Sequence, residues 1–411
     1  MRPLTAPERY HAVPCTEVHR EAHMSETKAS GLDPEQLLHL RAVMDEDVRR
    51  GLYLGGVIIV ARHGTVGLYE ALGHADEART RAVKKDAVFS IFSVTKAFTN
   101  VLVFRAIEQG RLALTTPISS VIPEFSGRGR ETITLYHLLT HTAGIPSLYT
   151  PREGMCIDRL SEIIEAICAN PNIYPAEAPG TRLDYSPMVN HALMGEAVRR
   201  TDPHERRYRQ IVEDDILKPL RMADTSVGLR RDLRERHLAP EFRGNAPMNH
   251  LGHGNLGSQG AFLEEDAEMP WVGISSTAGD MFRFAEALRR GGELDGARIL
   301  HPTILERARE CWTGEKPNEV YKRLAESRGW KVMPGYIGLG FSLRGVEIGQ
   351  TLFGTLTSPH TFGNYGAGST LFWVDPALDM TFVALTTGVM TSGDNIERWR
   401  RLSDIAVSAA I

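Results

Sequence analysis

The segment Ile91–Asn100 reads IFSVTKAFTN and places Ser93 and Lys96 three residues apart at the start of an apolar run. In a helix, residues i and i+3 share a face, so the two side chains would meet. A lysine buried there loses hydration and its pKa falls, so the neutral amine could take the proton from Ser93. The first-turn amides would favour a developing oxyanion. The pattern allows nucleophilic catalysis, but a capping serine beside a solvent-seeking lysine gives the same letters.

The S-x-x-K pattern is weakly specific, because a second copy, Ser25–Lys28, stands in the polar N-terminal segment. Context distinguishes the two copies. The first copy follows a strand-like stretch and opens a predicted helix from Ser93 to Gln109 that is apolar nearly all round. Such a helix is normally buried in the middle of a protein. Ser93 is therefore the better candidate nucleophile.

Hydrophobic periodicity predicts the elements around this helix. An amphipathic helix is expected over 33–51, begun by Asp33 and Pro34, and a second one over 394–410, capped by Asp394 and Glu397. The predicted strands are two in the hairpin 55–73 and one each in 336–345, 369–376 and 380–387. Strand signals thus lie towards both ends of the chain, with helices and loops between them.

This order of elements predicts an α+β fold whose sheet domain is assembled from both ends of the chain. We expect a flexible tail over 1–32, a sheet domain from 33–115 and 261–411, and a mostly helical domain over 116–260.

Composition narrows the function classes. The 411 residues are 42% hydrophobic and carry a net charge of −4, which predicts a sizeable core and no nucleic-acid or membrane partner. The four cysteines form no C-x-x-C pair, and the charged N-terminal segment has no apolar signal region. No apolar run has the length of a membrane span. These features predict a cytoplasmic protein.

Five segments that follow one another along the chain together resemble the serine β-lactamase/penicillin-binding-protein superfamily. The branch in question contains class C β-lactamases, related carboxylesterases and the acyltransferases of lovastatin-type biosynthesis. The segments are 89–125, 133–147, 175–198, 273–300 and 361–387. The resemblance runs from about residue 33 to the end, and its specificity lies in the order and spacing of the segments. It implies a β-lactamase/transpeptidase-like fold, with an antiparallel sheet flanked by helices and a helical domain.

The resemblance also implies roles for individual residues. Ser93 matches the acylated nucleophile and Lys96 its motif partner. Tyr185, in the sequence LDYSP, matches the tyrosine of the second motif. That tyrosine activates the serine either as a phenolate or as a neutral hydroxyl that relays a proton through the lysine.

The third motif, on the edge of the sheet, matches Asn364-Tyr365-Gly366. The resemblance implies that these residues contact the substrate. It further implies an oxyanion hole formed by the backbone N–H groups of Ser93 and Ala367.

Two positions depart from the family's pattern and bear on the substrate. Pro187 stands where the second motif usually has an asparagine that holds substrate, and Asn364 stands where the third motif usually begins with a cationic or donor group. Tyr365 is bulkier than the usual residue. Arg344 or Arg398 could supply the missing charge.

Competing motifs are weaker. The sequence GHGNLG (252–257) satisfies G-x-G-x-x-G, but without a preceding strand it reads as a loop. The pair His137 and His141 lacks the glutamate and third ligand of a zinc site. The serines of WVGISSTAGD (271–280) favour a turn and helix start over a second nucleophile. We therefore predict no metal and no cofactor.

The leading hypothesis is a serine hydrolase that cleaves a small-molecule ester or thioester through a Ser93 acyl-enzyme. The alternatives are an acyltransferase that passes the acyl group to a small-molecule acceptor in natural-product biosynthesis, a β-lactam or D-amino-acid peptide hydrolase, and a non-catalytic binding protein with this fold. The sequence predicts no particular oligomeric state.

Overall fold

The structure, a computed structural model, describes residues 30–242, 261–367 and 369–411. The second S-x-x-K copy and the glycine-rich segment 252–257 lie outside the described residues, as does the expected tail up to residue 29. Leu32 is fully buried and forms a β-bridge with Ala410.

Fourteen strands are present among the described residues. They are β1 Gly55–Arg62, β2 Thr65–Gly73, β3 Val88–Ser90, β4 Ser226–Val227, β5 His237–Leu238, β6 Glu241–Phe242, β7 Ile274–Thr277, β8 Glu293–Leu294, β9 Ala297–Arg298, β10 Ser342–Leu343, β11 Phe362–Gly366, β12 Thr370–Asp375, β13 Met380–Thr386 and β14 Gly388–Val389. Six of them form an antiparallel sheet in the order β10-β11-β12-β13-β1-β2. A smaller sheet has the order β4-β7-β3-β5, and β6–β14 and β8–β9 form separate pairs.

The described α-helices surround these sheets. They are α1 Pro34–Arg49, α2 Thr95–Glu108, α3 Ile118–Val121, α4 Leu135–Leu139, α5 Leu160–Ala169, α6 Val189–Arg200, α7 Tyr208–Val212, α8 Ala278–Arg289, α9 Pro302–Ala308, α10 Glu319–Arg328 and α11 Ser392–Ser408. Short 3₁₀ turns are present at Phe92–Val94, Arg130–Thr132, Arg231–Arg236 and Ala261–Leu263, and a π turn at Glu213–Leu217. The predicted α+β class, an antiparallel sheet flanked by helices with further helices beside it, is confirmed.

Two hydrophobic cores lie on opposite faces of the large sheet. On one face α1 and α11 pack with Trp373, Phe382 and Trp399, whose rings stack or meet edge to face. On the other face α8 and α2 meet, where the rings of Phe98 and Phe284 stack 4.1 Å apart. Helix α2 is therefore buried between the sheet and the helices that follow it in the chain, as its all-round apolar sequence predicts.

The chain order also agrees with the predicted arrangement in which both chain ends build the large sheet. Strands β1 and β2 come from the N-terminal part, and β10 to β13 come from the C-terminal part. The segment between them contributes α3 to α7 and three two-residue strands that pair with β3, β7 and β14. The domain boundaries at 33–115, 116–260 and 261–411 stay predictions.

Three local predictions need correction. Helix α2 begins at Thr95, and Ser93 lies in the 3₁₀ turn before it. Helix α11 is capped by Thr391, whose hydroxyl accepts from the backbone N–H of Asp394, so Asp394 is the third helical residue and not the cap. Within 336–345 only Ser342–Leu343 forms a strand, and within 361–366 the structure has a strand, β11, that the periodicity missed.

Candidate active site

Ser93 lies in a tight turn between β3 and α2. Its neighbour Phe92 has φ 49°, in the left-handed region that non-glycine residues rarely adopt, so this turn is strained. Two hydrogen bonds hold Ile91, the residue before Phe92. Its N–H donates to Ile274 O at 3.0 Å, and its carbonyl accepts from Thr370 Oγ1 at 2.8 Å. The serine is therefore fixed by both sheets at the start of the buried helix.

Lys96 is the second residue of α2, one turn after Ser93, and is 2% exposed. Its Nζ lies 3.0 Å from Ser93 Oγ and donates to Trp271 O at 3.1 Å. No carboxylate within the described part of the chain forms an ion pair with it. Burial without a counter-charge holds the pKa of Lys96 well below its ordinary value, which favours the neutral amine.

Tyr185 reaches the same point from the loop before α6. The phenol lies close to the Ser93 hydroxyl, and the Lys96 Nζ lies 5.4 Å from the centre of its ring. Burial raises the pKa of Tyr185 above its ordinary value, and the nearby Ser93 hydroxyl opposes that rise. Ser147 Oγ donates to the Tyr185 carbonyl at 2.9 Å and so helps hold the loop in place. The structure thus brings together all three residues that the sequence selected.

His141, considered above only for a metal pair, lies against Tyr185, with the two rings 4.8 Å apart. Its Nδ1 accepts from Ser186 N–H at 3.1 Å, which ties the imidazole to the second motif. Burial, with Lys96 nearby, lowers the pKa of His141 to about 3, so this ring is neutral. His137 has a different role, because its Nδ1 accepts from Thr134 N–H at 3.1 Å at the start of α4.

Asn100, one turn beyond Lys96 on α2, joins the helix to the strand that carries the third motif. Its Nδ2 donates to Gly340 O at 2.8 Å, and its Oδ1 lies 3.0 Å from His191 Nε2. Asn364 Nδ2 donates to the same Gly340 carbonyl at 3.3 Å. The i, i+4 spacing of Lys96 and Asn100 is a signal that sequence analysis could have used.

Gly366 ends β11 directly against the nucleophile turn. A Cβ at this position would lie 2.5 Å from Ile91 O and 2.2 Å from Thr370 Oγ1, distances that real Cβ atoms do not show. Only glycine lets β11 approach the turn this closely. The glycine of the third motif is therefore required by packing, and Ala367 after it lines the same cleft as Ser93.

A sequence model of the Beta-lactamase family matches residues 40–407. The chain belongs to the Beta-lactamase family. Esterase EstB of Burkholderia gladioli is 28% identical over 389 residues, which cover 87% of this chain and 92% of EstB.

Two solved structures share the family's fold. A family VIII carboxylesterase superposes with a TM-score of 0.73 at 21% identity, covering 91% of this chain and 97% of that one. EstCE1, described as a hydrolase with promiscuous acyltransferase activity, superposes with a TM-score of 0.71 at 20% identity, covering 91% and 99%. At these identities the two structures establish the fold alone.

The cleft in front of Ser93 has uncharged walls. Its described lining residues are Ser93, Tyr149, Ile157, Tyr185, Pro187, Met188, Trp271, Val272, Val320, Tyr321, Leu324, Ser342, Asn364, Tyr365, Ala367 and Ser392. Four are tyrosines, and none is Lys, Arg, His, Asp or Glu. The predicted contact residues Pro187, Asn364 and Tyr365 are all among them, whereas Gly366 lies behind the wall.

Neither arginine that could have replaced the family's usual charge lines the described cleft. Arg398 is 3% exposed and lies over the rings of Tyr53 and Trp399, at 4.8 and 4.0 Å. It donates to Thr386 Oγ1 at 3.2 Å, behind Tyr365. Arg344 lines a different cavity, which adjoins the cleft at α10.

Sequence reasoning missed Tyr149, Tyr321 and the Trp271 carbonyl. Tyr149 lies in a loop, and Tyr321 lies on a helix whose sequence, EVYKRLAESR, is mostly polar, so neither belongs to a motif. The Trp271 contact uses a backbone oxygen, which every residue type has, so the sequence gives no signal for it. No described helix is long and apolar enough to cross a bilayer.

Proposed function

We propose that this protein is a serine hydrolase that cleaves carboxylic esters or thioesters through an acyl-enzyme on Ser93. The observation that carries the proposal is the 3.0 Å contact between Ser93 Oγ and the buried Lys96 Nζ at the cleft wall. A 28% identical esterase that aligns over most of both chains supports it.

The shifted pKa values favour one of the two family mechanisms. Burial lowers the pKa of Lys96 and raises that of Tyr185, which favours the neutral form of both groups. In the mechanism we propose, neutral Lys96 acts as the base and the Tyr185 hydroxyl relays the proton. A Tyr185 phenolate would need a cation beside it, and burial disfavours the charged form of Lys96.

The reaction follows from these roles. Ser93 Oγ attacks the ester carbonyl while its proton moves to Lys96, directly or through Tyr185. The backbone N–H groups of Ser93 and Ala367 stabilise the oxyanion. The alkoxide leaves with the proton from the Lys96–Tyr185 pair. Water then attacks the acyl-enzyme, gives its proton to the same pair, and the carboxylic acid departs as the Ser93 hydroxyl is restored.

The uncharged cleft favours esters over β-lactams. Penicillins and cephalosporins carry a carboxylate next to the reacting ring, and a charge-assisted hydrogen bond to such a group is worth about 1.5–3 kcal/mol. Without a lining cation among the described residues, a β-lactam loses about ten- to a hundredfold in binding. Pro187 also lacks the side-chain amide that would hold an acylamino group.

The proposal is tested by kcat/KM for p-nitrophenyl butyrate and nitrocefin, together with the intact mass of the enzyme during turnover. We expect p-nitrophenyl butyrate to be the better substrate and a butyryl adduct to map to Ser93. A higher kcat/KM for nitrocefin would overturn the ester assignment. If neither substrate reacts and a fluorophosphonate leaves Ser93 unlabelled, the protein is a binding protein with this fold.

Transfer of the acyl group to an alcohol or amine uses the same acyl-enzyme and differs only in the acceptor. Adding n-butanol to the reaction with p-nitrophenyl butyrate distinguishes transfer from hydrolysis, because a transferase forms butyl butyrate at the expense of butyric acid. We further propose a cytoplasmic protein with a small-molecule substrate and no nucleic-acid or membrane partner.

A further inference from the structure

A second cavity, partly open to solvent, lies next to the Ser93 cleft and is lined in part by α10. Tyr321 and Leu324, one turn apart on α10, and Ser342 on β10 line both this cavity and the cleft. The two spaces therefore share part of their lining and adjoin at these three residues.

The walls of the second cavity are apolar, in the pattern that holds a hydrocarbon chain. They include Trp330, Met333, Leu352, Phe353 and Ile396. The three residues Val332, Val346 and Ile348, which neighbour lining residues in the chain, are 37%, 72% and 63% exposed. An apolar ligand thus meets apolar surface beside the cavity as well as inside it.

The cavity differs from the cleft in its charge. Lys322, Lys331 and Arg344 line it, and no aspartate or glutamate does so within the described residues. The two lysines have carboxylate partners on the outer surface, Glu319 and Glu347. The cavity therefore offers cations to a ligand without an opposing acid on its walls.

Arg344 is the buried cation of this cavity, at 3% exposure. Its Nη1 donates to Gly345 O and Glu347 O, and its Nη2 donates to Thr355 O, each at 2.9 Å. Its Nε is buried and has no hydrogen-bond partner in the described structure, and it forms no ion pair there. An unsatisfied buried donor of this kind is costly, and an acceptor supplied by a ligand in this cavity would satisfy it.

We propose that this cavity is a subsite for the far end of the substrate's acyl chain, and that the chain ends in a carboxylate. The preferred substrate is then a half-ester or half-thioester of a dicarboxylic acid, with its reacting carbonyl at Ser93 and its free carboxylate at Arg344. This inference rests on the proposed hydrolase function. It does not conflict with poor β-lactam binding, because the carboxylate of a β-lactam lies beside the reacting bond and not at the far end of an acyl chain.

The test compares mono-p-nitrophenyl esters of dicarboxylic acids with p-nitrophenyl alkanoates of the same length, from four to ten carbons. We expect the carboxylate to raise kcat/KM by about ten- to a hundredfold in the longer pairs, and not in the shortest pair. Because the Arg344 guanidinium is buried, added salt should change this advantage little. Equal kcat/KM values at every length would overturn the proposal.

Two variants locate the effect. Arg344→Met should reduce the carboxylate advantage, the ratio of the two kcat/KM values at one chain length, towards one. Because Arg344 also holds backbone carbonyls, the double variant Lys322→Gln, Lys331→Gln gives a second test on the outer wall. The matched control is Lys84→Gln, Lys218→Gln, which removes two surface lysines that do not line the cavity. An advantage that persists in both cavity variants, or falls equally in the control, would refute the assignment.

Binding to Ser93→Ala separates this inference from the hydrolase proposal. By calorimetry, the variant should bind monomethyl suberate at least about tenfold more tightly than methyl octanoate. If that preference is present but the native enzyme turns over no ester, the subsite stands and the hydrolase proposal fails. If p-nitrophenyl butyrate is hydrolysed but Ser93→Ala does not prefer monomethyl suberate, the subsite proposal is wrong and the hydrolase proposal is kept.

Discussion

Two serines three residues apart each face a nitrogen base at 3.0 Å, yet only one opens on a cleft. Ser93 Oγ meets Lys96 Nζ, and Ser90 Oγ meets His237 Nε2. Burial lowers the pKa of both bases, that of His237 to about 4. Ser90 is 3% exposed in β3, between β5 and β7, so no substrate can reach it.

The comparison distinguishes the features that a reactive serine requires from the hydrogen bonding that any buried serine hydroxyl has. A hydrogen bond to a neutral base is present in both places and satisfies a buried hydroxyl in either. The Ser93 site adds room for a substrate, the phenol of Tyr185, which we propose as a second proton carrier, and backbone amides at the start of a helix. We therefore expect paired substitutions to affect activity at one serine and stability at the other.

The largest difference is expected between Ser93→Ala and Ser90→Ala. Loss of the nucleophile should lower kcat for p-nitrophenyl butyrate by at least about four powers of ten and abolish fluorophosphonate labelling. Ser90→Ala should keep labelling and turnover. It should lower the free energy of unfolding by about 1–3 kcal/mol, because His237 Nε2 loses its partner. Equal loss of activity in both variants would contradict the comparison.

Substitutions of the two bases, Lys96 and His237, should differ almost as much in their effect on kcat. Lys96→Met and Tyr185→Phe should each lower kcat by at least about a hundredfold, the low end of a general-base contribution. The double variant should be far from additive, since the two groups act as one proton-transfer unit. The activity of the native enzyme should rise with pH as Lys96 loses its proton, at a pH below the ordinary lysine pKa. His237→Gln should leave kcat within about twofold, and a larger loss would assign His237 to the reaction.

The next prediction concerns the strand that forms the other wall of the Ser93 site. Gly366→Ala should force β11 away from Ile91, because its Cβ would overlap the Ile91 carbonyl and the Thr370 hydroxyl. Displacement of reacting groups by about 1 Å can cost about a hundredfold, so kcat should fall by about ten- to a hundredfold. Gly279→Ala, on α8, is the control, since its nearest neighbour lies 3.2 Å away. Full activity in Gly366→Ala would show that the close approach is not needed.

The site also shows what the sequence could and could not predict. Helix α1, the hairpin of β1 and β2, and the burial of α2 follow from local periodicity and were predicted correctly. The start of α11 was misplaced because Thr391 and Asp394 both satisfy a capping pattern, and only the structure shows which residue precedes the helix.

Non-local contacts account for the larger errors. The stretch 336–345 has strand-like residues, but its glycines bind elsewhere: Gly340 N–H donates to Leu139 O, and Gly340 O accepts from Asn100. The pair Ser93 and Lys96 could be selected from its spacing within one short segment of the chain. The charge contrast between the cleft and the second cavity arises from side chains on separate loops and helices, so no single segment could indicate it.

The smallest expected effects are on the pH dependence of stability, and they have the same sign at both serine–base pairs. His237 has a lowered pKa in the folded protein, so between about pH 6.5 and about pH 4 the unfolded chain binds a proton that the folded chain does not. Native stability therefore falls as pH decreases through this window. His237→Gln should reduce that fall by on the order of 1–2 kcal/mol, which urea unfolding at pH 7 and pH 4.5 would measure.

Lys96 gives the same sign in an alkaline window, because its lowered pKa means that the unfolded chain is protonated first as pH decreases from about 10.5. The stability of Lys96→Met relative to the native protein should therefore increase from pH 10 to pH 7. His237→Gln should show no change across that range. If Lys96→Met is equally stabilised at pH 10 and pH 7, Lys96 is charged in the folded protein, and Tyr185 would have to act as the base.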